Sequence, residues 1–231
     1  MIEPITRGLR VVTCCHSFYG FVPPLLSEMA GAVGITGHTD AGISMIGGSS
    51  GTAQGPYVLH HWNLPDKQDI ARSALRAGGV DVLALSPIWL PDEGIEQFAR
   101  LALVHNPEIR VTLHEYWLPN DTFDTTLPLK TWLPVDHDAT DIAELRKEHQ
   151  PYFQEMEDLA RDLNRQLGRE VVLVVPVGLA VLALRERIVA GQAPGLTRQN
   201  ELFKDSWGHP APPLQMLTAY CHFAAMYRRN L

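Results

Sequence analysis

Five short β-rich runs, each separated from the next by residues at helical spacing, constrain this chain more than any other feature. The first run, LRVVTC at 9–14, is followed at 22–33 by a helix-like stretch that Pro23 and Pro24 suit for a helix start. GITGHTDAGISM at 34–45 holds a second strand, and 66–77 reads as one helix. VDVLAL at 80–85 is the third strand. Over 92–104, Ile95, Phe98, Ala99, Ala102 and Leu103 recur on one helical face, and the β-branched IRVTL at 109–113 is the fourth strand. An amphipathic helix over 140–167 ends at Gly168, and the wholly apolar VVLVV at 171–175 is the fifth strand. Helices at 178–190 and 214–228 complete the chain. Strands that alternate with helices pair in parallel and need helices on both faces of the sheet. The predicted fold is a flavodoxin-like three-layer α/β/α sandwich with a five-stranded parallel sheet.

With 231 residues and 45% hydrophobic content, positions 1–231 supply one core and form a single domain. Residues 117–138, rich in Pro, Asp, Thr and Trp without a period, are too long for an ordinary connection and read as a loop or lid over a site. The net charge of −7 is spread without acidic or basic blocks, which argues against nucleic acid as a partner. No apolar run has the length of a membrane span, so neither a membrane nor a nucleic-acid partner is expected. The chain reads as soluble and favours the cytoplasm, with export behind a removed signal peptide as the alternative. Cys14 and Cys15 are adjacent and Cys221 is the third thiol, so no disulfide framework is implied.

In open parallel sheets ligands gather beyond the carboxyl ends of the strands. Beyond the first strand stand Cys15, His16, Ser17, Phe18, Tyr19 and Gly20, a strand-to-helix turn that presents a hydroxyl where backbone N–H groups can surround an oxyanion. Ser17 is therefore the candidate nucleophile. DSWGHP at 205–210 supplies the other parts: His209 to take the serine proton and Asp205 to orient the ring.

CHSF early in the chain, IGGSS in the second βα region and DSWGHP before the last helix together resemble the GDSL or SGNH hydrolase superfamily. The resemblance spans nearly the whole chain. It implies a flavodoxin-like sandwich that cleaves esters, commonly acyl esters on carbohydrates or lipids, with Ser17 as nucleophile and His209 as base. The family glycine that donates a backbone N–H to the oxyanion maps onto Gly48, with Gly47 as the alternative register. Asp205 takes the place of the family aspartate, but three residues separate it from His209 where the family has two. In the third motif the family asparagine is missing: the chain reads Leu85, Ser86, Pro87, Ile88, Trp89, which makes Ser86 the substitute donor. His16 stands where the family usually has Asp or Asn, and is expected to line the pocket.

Glu115 and Trp117 at the end of the fourth strand, together with Trp89, are expected to bind substrate, Glu115 through a sugar hydroxyl and Trp117 by stacking. His60, His61 and Trp62 read as a strand-borne wall, and adjacent strand residues facing opposite sides do not make a metal site. His137 likewise lacks a ligand pattern. The glycine loop over 47–55 lacks the lysine of a phosphate-binding loop, so no nucleotide, metal or other cofactor is expected. The expected function is hydrolysis of a small acyl ester on a carbohydrate through a Ser–His–Asp triad and an acyl-enzyme. Alternatives are acyl transfer to another hydroxyl and a non-catalytic carbohydrate-binding or scaffolding protein on the same fold. The oligomeric state is left open.

Overall fold

A computed structural model describes residues 3–47, 55–115, 117–122, 135–205 and 207–229. Its strands are β1 (Arg10–Cys15), β2 (Thr39–Met45), β3 (Val82–Leu85), β4 (Arg110–Glu115) and β5 (Val172–Pro176). They form one sheet in the order β2-β1-β3-β4-β5, with every neighbouring pair parallel. The helices are α1 (Val22–Ala32), α2 (Tyr57–Trp62), α3 (Ile70–Ala77), α4 (Glu93–His105), α5 (Ile142–Leu167), α6 (Val177–Val189) and α7 (Pro212–Tyr227). This is the α/β, flavodoxin-like three-layer arrangement expected from the alternation of strands and helices.

The alternating side chains of the central strands sort the core into two layers. Val11, Cys15, Val82 and Ala84 face Val22, Leu26 and Ala30 of α1 and Phe223, Met226 and Tyr227 of α7. Val12, Cys14, Leu83 and Leu85 face the other way, into a cluster with Leu75 of α3, Phe98 of α4 and Met156 of α5. Each fully buried leucine or valine here contributes about 1.5–3 kcal/mol relative to exposure. The three cysteines are free thiols.

Two local readings change. The segment over 66–77 is not one helix: a short 3-10 turn, Asp66–Gln68, precedes α3, because the Asp69 side chain accepts the N–H of Arg72 at 2.9 Å and starts a new helix there. His60, His61 and Trp62 lie on α2 instead of a strand. The start of α2 is organised from far along the chain. Asp92 accepts the N–H groups of Val58 at 2.6 Å and Leu59 at 2.9 Å as well as that of Gly94 at 3.1 Å, so one carboxylate caps α2 and α4 together. Gly94 permits the contact, since a Cβ on it would lie 2.2 Å from the Leu59 nitrogen.

Among the described residues, no helix is long and apolar enough to cross a membrane. Of the 117–138 segment, residues 123–134 lie outside the described part. Its two ends meet at one buried cation. Arg185 of α6 holds Asp121 through two hydrogen bonds of 2.5 and 2.8 Å and also reaches the carbonyl of His137 at 3.3 Å. The His137 ring donates its Nδ1–H to the same Asp121 carboxylate at 3.0 Å, and the Thr140 hydroxyl also donates to it. Burial pushes the Asp121 carboxyl up, but Arg185 and His137 overcome this and hold it at about 2.

Candidate active site

In sheets of this strand order the chain reverses direction of winding between β1 and β3, and a crevice opens beyond that point. Ser17 lies just past the end of β1 and Ser86 just past the end of β3. The turn that carries Ser17 is held by the carbonyl of His16, which accepts the N–H groups of Tyr19 and Gly20, both at 3.0 Å. Pro23 and Pro24 then open α1. Ser17 is exposed at this turn, and no described residue accepts its backbone N–H.

His209 reaches Ser17 from the opposite end of the sequence, with Nε2 2.8 Å from the serine Oγ. Its Nδ1 meets the Asp205 carboxylate at 2.9 and 3.1 Å. A carboxylate only accepts, so Nδ1 carries the proton of the neutral ring and the Nε2 lone pair faces the serine hydroxyl. That polarity suits proton abstraction from Ser17.

The three residues between Asp205 and His209 are accommodated by a tight loop. Asp205 Oδ1 also accepts the N–H groups of Trp207 at 3.0 Å and His209 at 3.1 Å, which folds the carboxylate back beneath the imidazole. Lys204 N–H donates to the His209 carbonyl at 2.9 Å and Ala211 N–H to the Leu202 carbonyl at 2.8 Å, closing the loop at its base. Gly208 lies at φ +75°, and a Cβ there would stand 2.7 Å from Cβ of Pro119. Trp117 Nε1 donates to the Gly208 carbonyl at 3.0 Å. Phe18 stacks on the His209 ring with centroids 4.4 Å apart and an interplanar angle of 14°.

Several predicted site residues have other placements. His16 does not line an open pocket: it is 2% exposed, its Nε2 meets Ser86 Oγ at 2.9 Å, and its Nδ1 accepts the Phe18 N–H at 3.3 Å. Glu115 is fully buried with both carboxylate oxygens engaged inside the protein, where a sugar hydroxyl was expected. Its Oε2 accepts the N–H of Gly178 at 2.8 Å, near the start of α6, and its other oxygen contacts His149. Burial raises its pKa, opposed by His149. Trp117 is 3% exposed, packed beside Phe18 and bonded to Gly208, so it braces the site where sugar stacking was expected. Trp89 is half-buried on the loop after β3. His61 is buried and bonded to Ser44 at 2.8 Å, while Trp62 packs edge-on against Phe98, so these residues form no wall. Gly48 lies outside the described residues; Gly47, the alternative register, is exposed just beyond β2.

Two contacts were missed by sequence reasoning, Phe18 on His209 and Trp117 on Gly208. The first had a signal, since an aromatic residue follows the nucleophile directly, but nothing in the sequence says which ring it meets. Among the described residues, no group of three or more His, Cys, Asp or Glu is arranged to hold a metal ion. Fold and site together define a flavodoxin-like α/β protein with a Ser–His–Asp constellation at the carboxyl edge of its sheet. No family model matches the chain, and no curated protein matches it.

Proposed function

We propose that this chain is a serine hydrolase that cleaves an ester, with a small acyl group on a carbohydrate as the preferred substrate class. The observation that carries the reading is the 2.8 Å approach of Ser17 Oγ to His209 Nε2, with Asp205 on the far side of the ring. Ser17 Oγ adds to the ester carbonyl carbon while His209 Nε2 takes the hydroxyl proton, and the carbonyl π pair becomes a lone pair on oxygen. Asp205 and the face of Phe18 both favour the imidazolium that results. The N–H of Ser17, with that of Gly48, receives the oxyanion. Collapse of the adduct expels the alcohol, which takes its proton from His209. Water then attacks the acyl-enzyme by the same route and frees Ser17. The carbohydrate preference rests on the polar and aromatic residues around the site, among them Trp207, which is 48% exposed two positions before His209.

Turnover of p-nitrophenyl acetate and labelling by a fluorophosphonate, read by intact mass, test the reading. Wild type should turn over the ester and gain one adduct at Ser17, and Ser17→Ala should do neither. Full activity in Ser17→Ala removes Ser17 from the mechanism, and a wild type that neither turns over nor labels returns the chain to a binding role.

A further inference from the structure

One buried polar pair beside the nucleophile is left unused by the triad. His16 is 2% exposed and Ser86 is 1% exposed, yet both carry hydrogen-bonding side chains. They extend from neighbouring strands, β1 and β3, and the N–H of Ser86 donates to the Cys14 carbonyl at 3.1 Å, which knits the two strand ends together just ahead of Ser17. Phe18 and Tyr57 enclose the His16 ring edge-on, at centroid distances of 5.8 and 5.0 Å.

The surroundings of His16 select one tautomer. Its Nδ1 accepts the Phe18 N–H, so Nδ1 holds a lone pair. Burial, reinforced by the nearby imidazoles of His61 and His209, pushes the His16 pKa down to about 3 and keeps the ring neutral. The single ring proton therefore sits on Nε2 and is donated to Ser86 Oγ across 2.9 Å. That donation occupies a lone pair of the hydroxyl and forbids its own proton from pointing back at the ring. No described residue accepts the Ser86 proton. A buried O–H held in this way is a donor in search of negative charge.

We propose that His16 is a positioning residue that fixes the Ser86 hydroxyl as a one-way donor to the oxyanion formed when Ser17 attacks a carbonyl. The proposal rests on the hydrolase reading above. Ser86 keeps its proton throughout and shares it with the oxygen that gains the carbonyl π pair, so no bond to hydrogen breaks. Because the pair is uncharged, the donor is the same at every pH at which His209 can act as a base. The side chain also supplies a donor without a charge that would hold a ground-state carboxylate in the crevice.

The test uses the whole chain with p-nitrophenyl acetate and a fluorophosphonate. Ser86→Ala should lower kcat about a hundredfold with KM within about threefold, and slow fluorophosphonate labelling in parallel, as expected for loss of one oxyanion donor. Ser86→Thr, which keeps the hydroxyl, should recover most of the rate. His16→Phe should lower kcat strongly in Ser86 protein yet add less than about threefold in a Ser86→Ala background, because its effect runs through the hydroxyl. His16→Gln, which retains an amide donor near the position of Nε2, should stay within about tenfold of wild type. Nitrogen-15 spectra of the wild-type histidines read the tautomer without any turnover, and a His16 proton on Nδ1 overturns the proposal. So does a Ser86→Ala protein within about twofold of wild type while Ser17→Ala is inactive, an outcome that leaves the hydrolase reading standing. A wild type with neither Ser17-dependent turnover nor adduct removes both.

Discussion

Phe18 lies nearly parallel to His209, ring centroids 4.4 Å apart, although 191 positions of sequence separate them. The contact places the negative face of a benzene ring against the imidazole that must become cationic when it takes the Ser17 proton. Such cation–π contacts are worth about 0.5–2 kcal/mol, depending on how dry the site is. Phe18→Leu should therefore lower kcat on p-nitrophenyl acetate by about 3- to 30-fold with KM little changed, whereas Phe18→Tyr should keep most of it. A leucine variant as fast as wild type would show that the stack only fills space.

Gly208 holds the loop that carries both Asp205 and His209. Its φ of +75° and the 2.7 Å approach to Pro119 leave no room for a methyl group. Gly208→Ala should lose about 1–3 kcal/mol of stability by strain and overpacking. It should also lose at least tenfold in kcat, because the displaced loop moves the base away from Ser17. Thermal melting and steady-state kinetics measured on one preparation check both; an alanine variant unchanged in each contradicts the geometry.

Four buried imidazoles set the acid limit of the fold. Burial pushes His16 and His222 down to about 3. It lowers His61 to about 4 against a hydrogen bond to Cys15, and it drives His114 well down with help from His222 and His16. Their folded pKa values lie below the unfolded value of about 6.5, so the unfolded chain takes up protons first. Stability is intact above pH 6.5 and falls as pH drops below it, by about 1.4 kcal/mol per pH unit for each imidazole. Asp92 runs the other way: burial raises it to about 6 despite its three N–H partners, so between about pH 4 and 6 it offsets one histidine. Urea unfolding midpoints should be flat from pH 8 to 7 and fall steeply between 6 and 4.5. Midpoints unchanged from pH 7 to 5 would mean that these rings are already charged in the folded protein.

The sheet was legible because each strand is a short apolar or β-branched run and each long helix shows its period; Gly168, at φ +70°, stops α5 where the sequence says it should. Ser17, Asp205 and His209 were legible as candidates because strand ends and Gly-Pro turns mark where side chains meet in such a sheet. What escaped depends on partners far along the chain. Helix α2 is six residues long and is organised by Asp92, 34 positions beyond Val58, so no local pattern announces it. Glu115 sits at a strand end, as substrate-binding residues do, yet the N-terminus of α6 and His149 claim its carboxylate. The spacing of Asp205 and His209 was an obstacle on paper only, because φ at Gly208 cannot be read from a count of residues.

Arg185 meets the chain at Asp121 and again at His137, so the stretch between them departs from and returns to a single point on α6. One guanidinium thus closes a loop between two points 16 positions apart, and an uncharged residue in place of Arg185 would release both tethers at once and leave the buried Asp121 carboxylate without its cation.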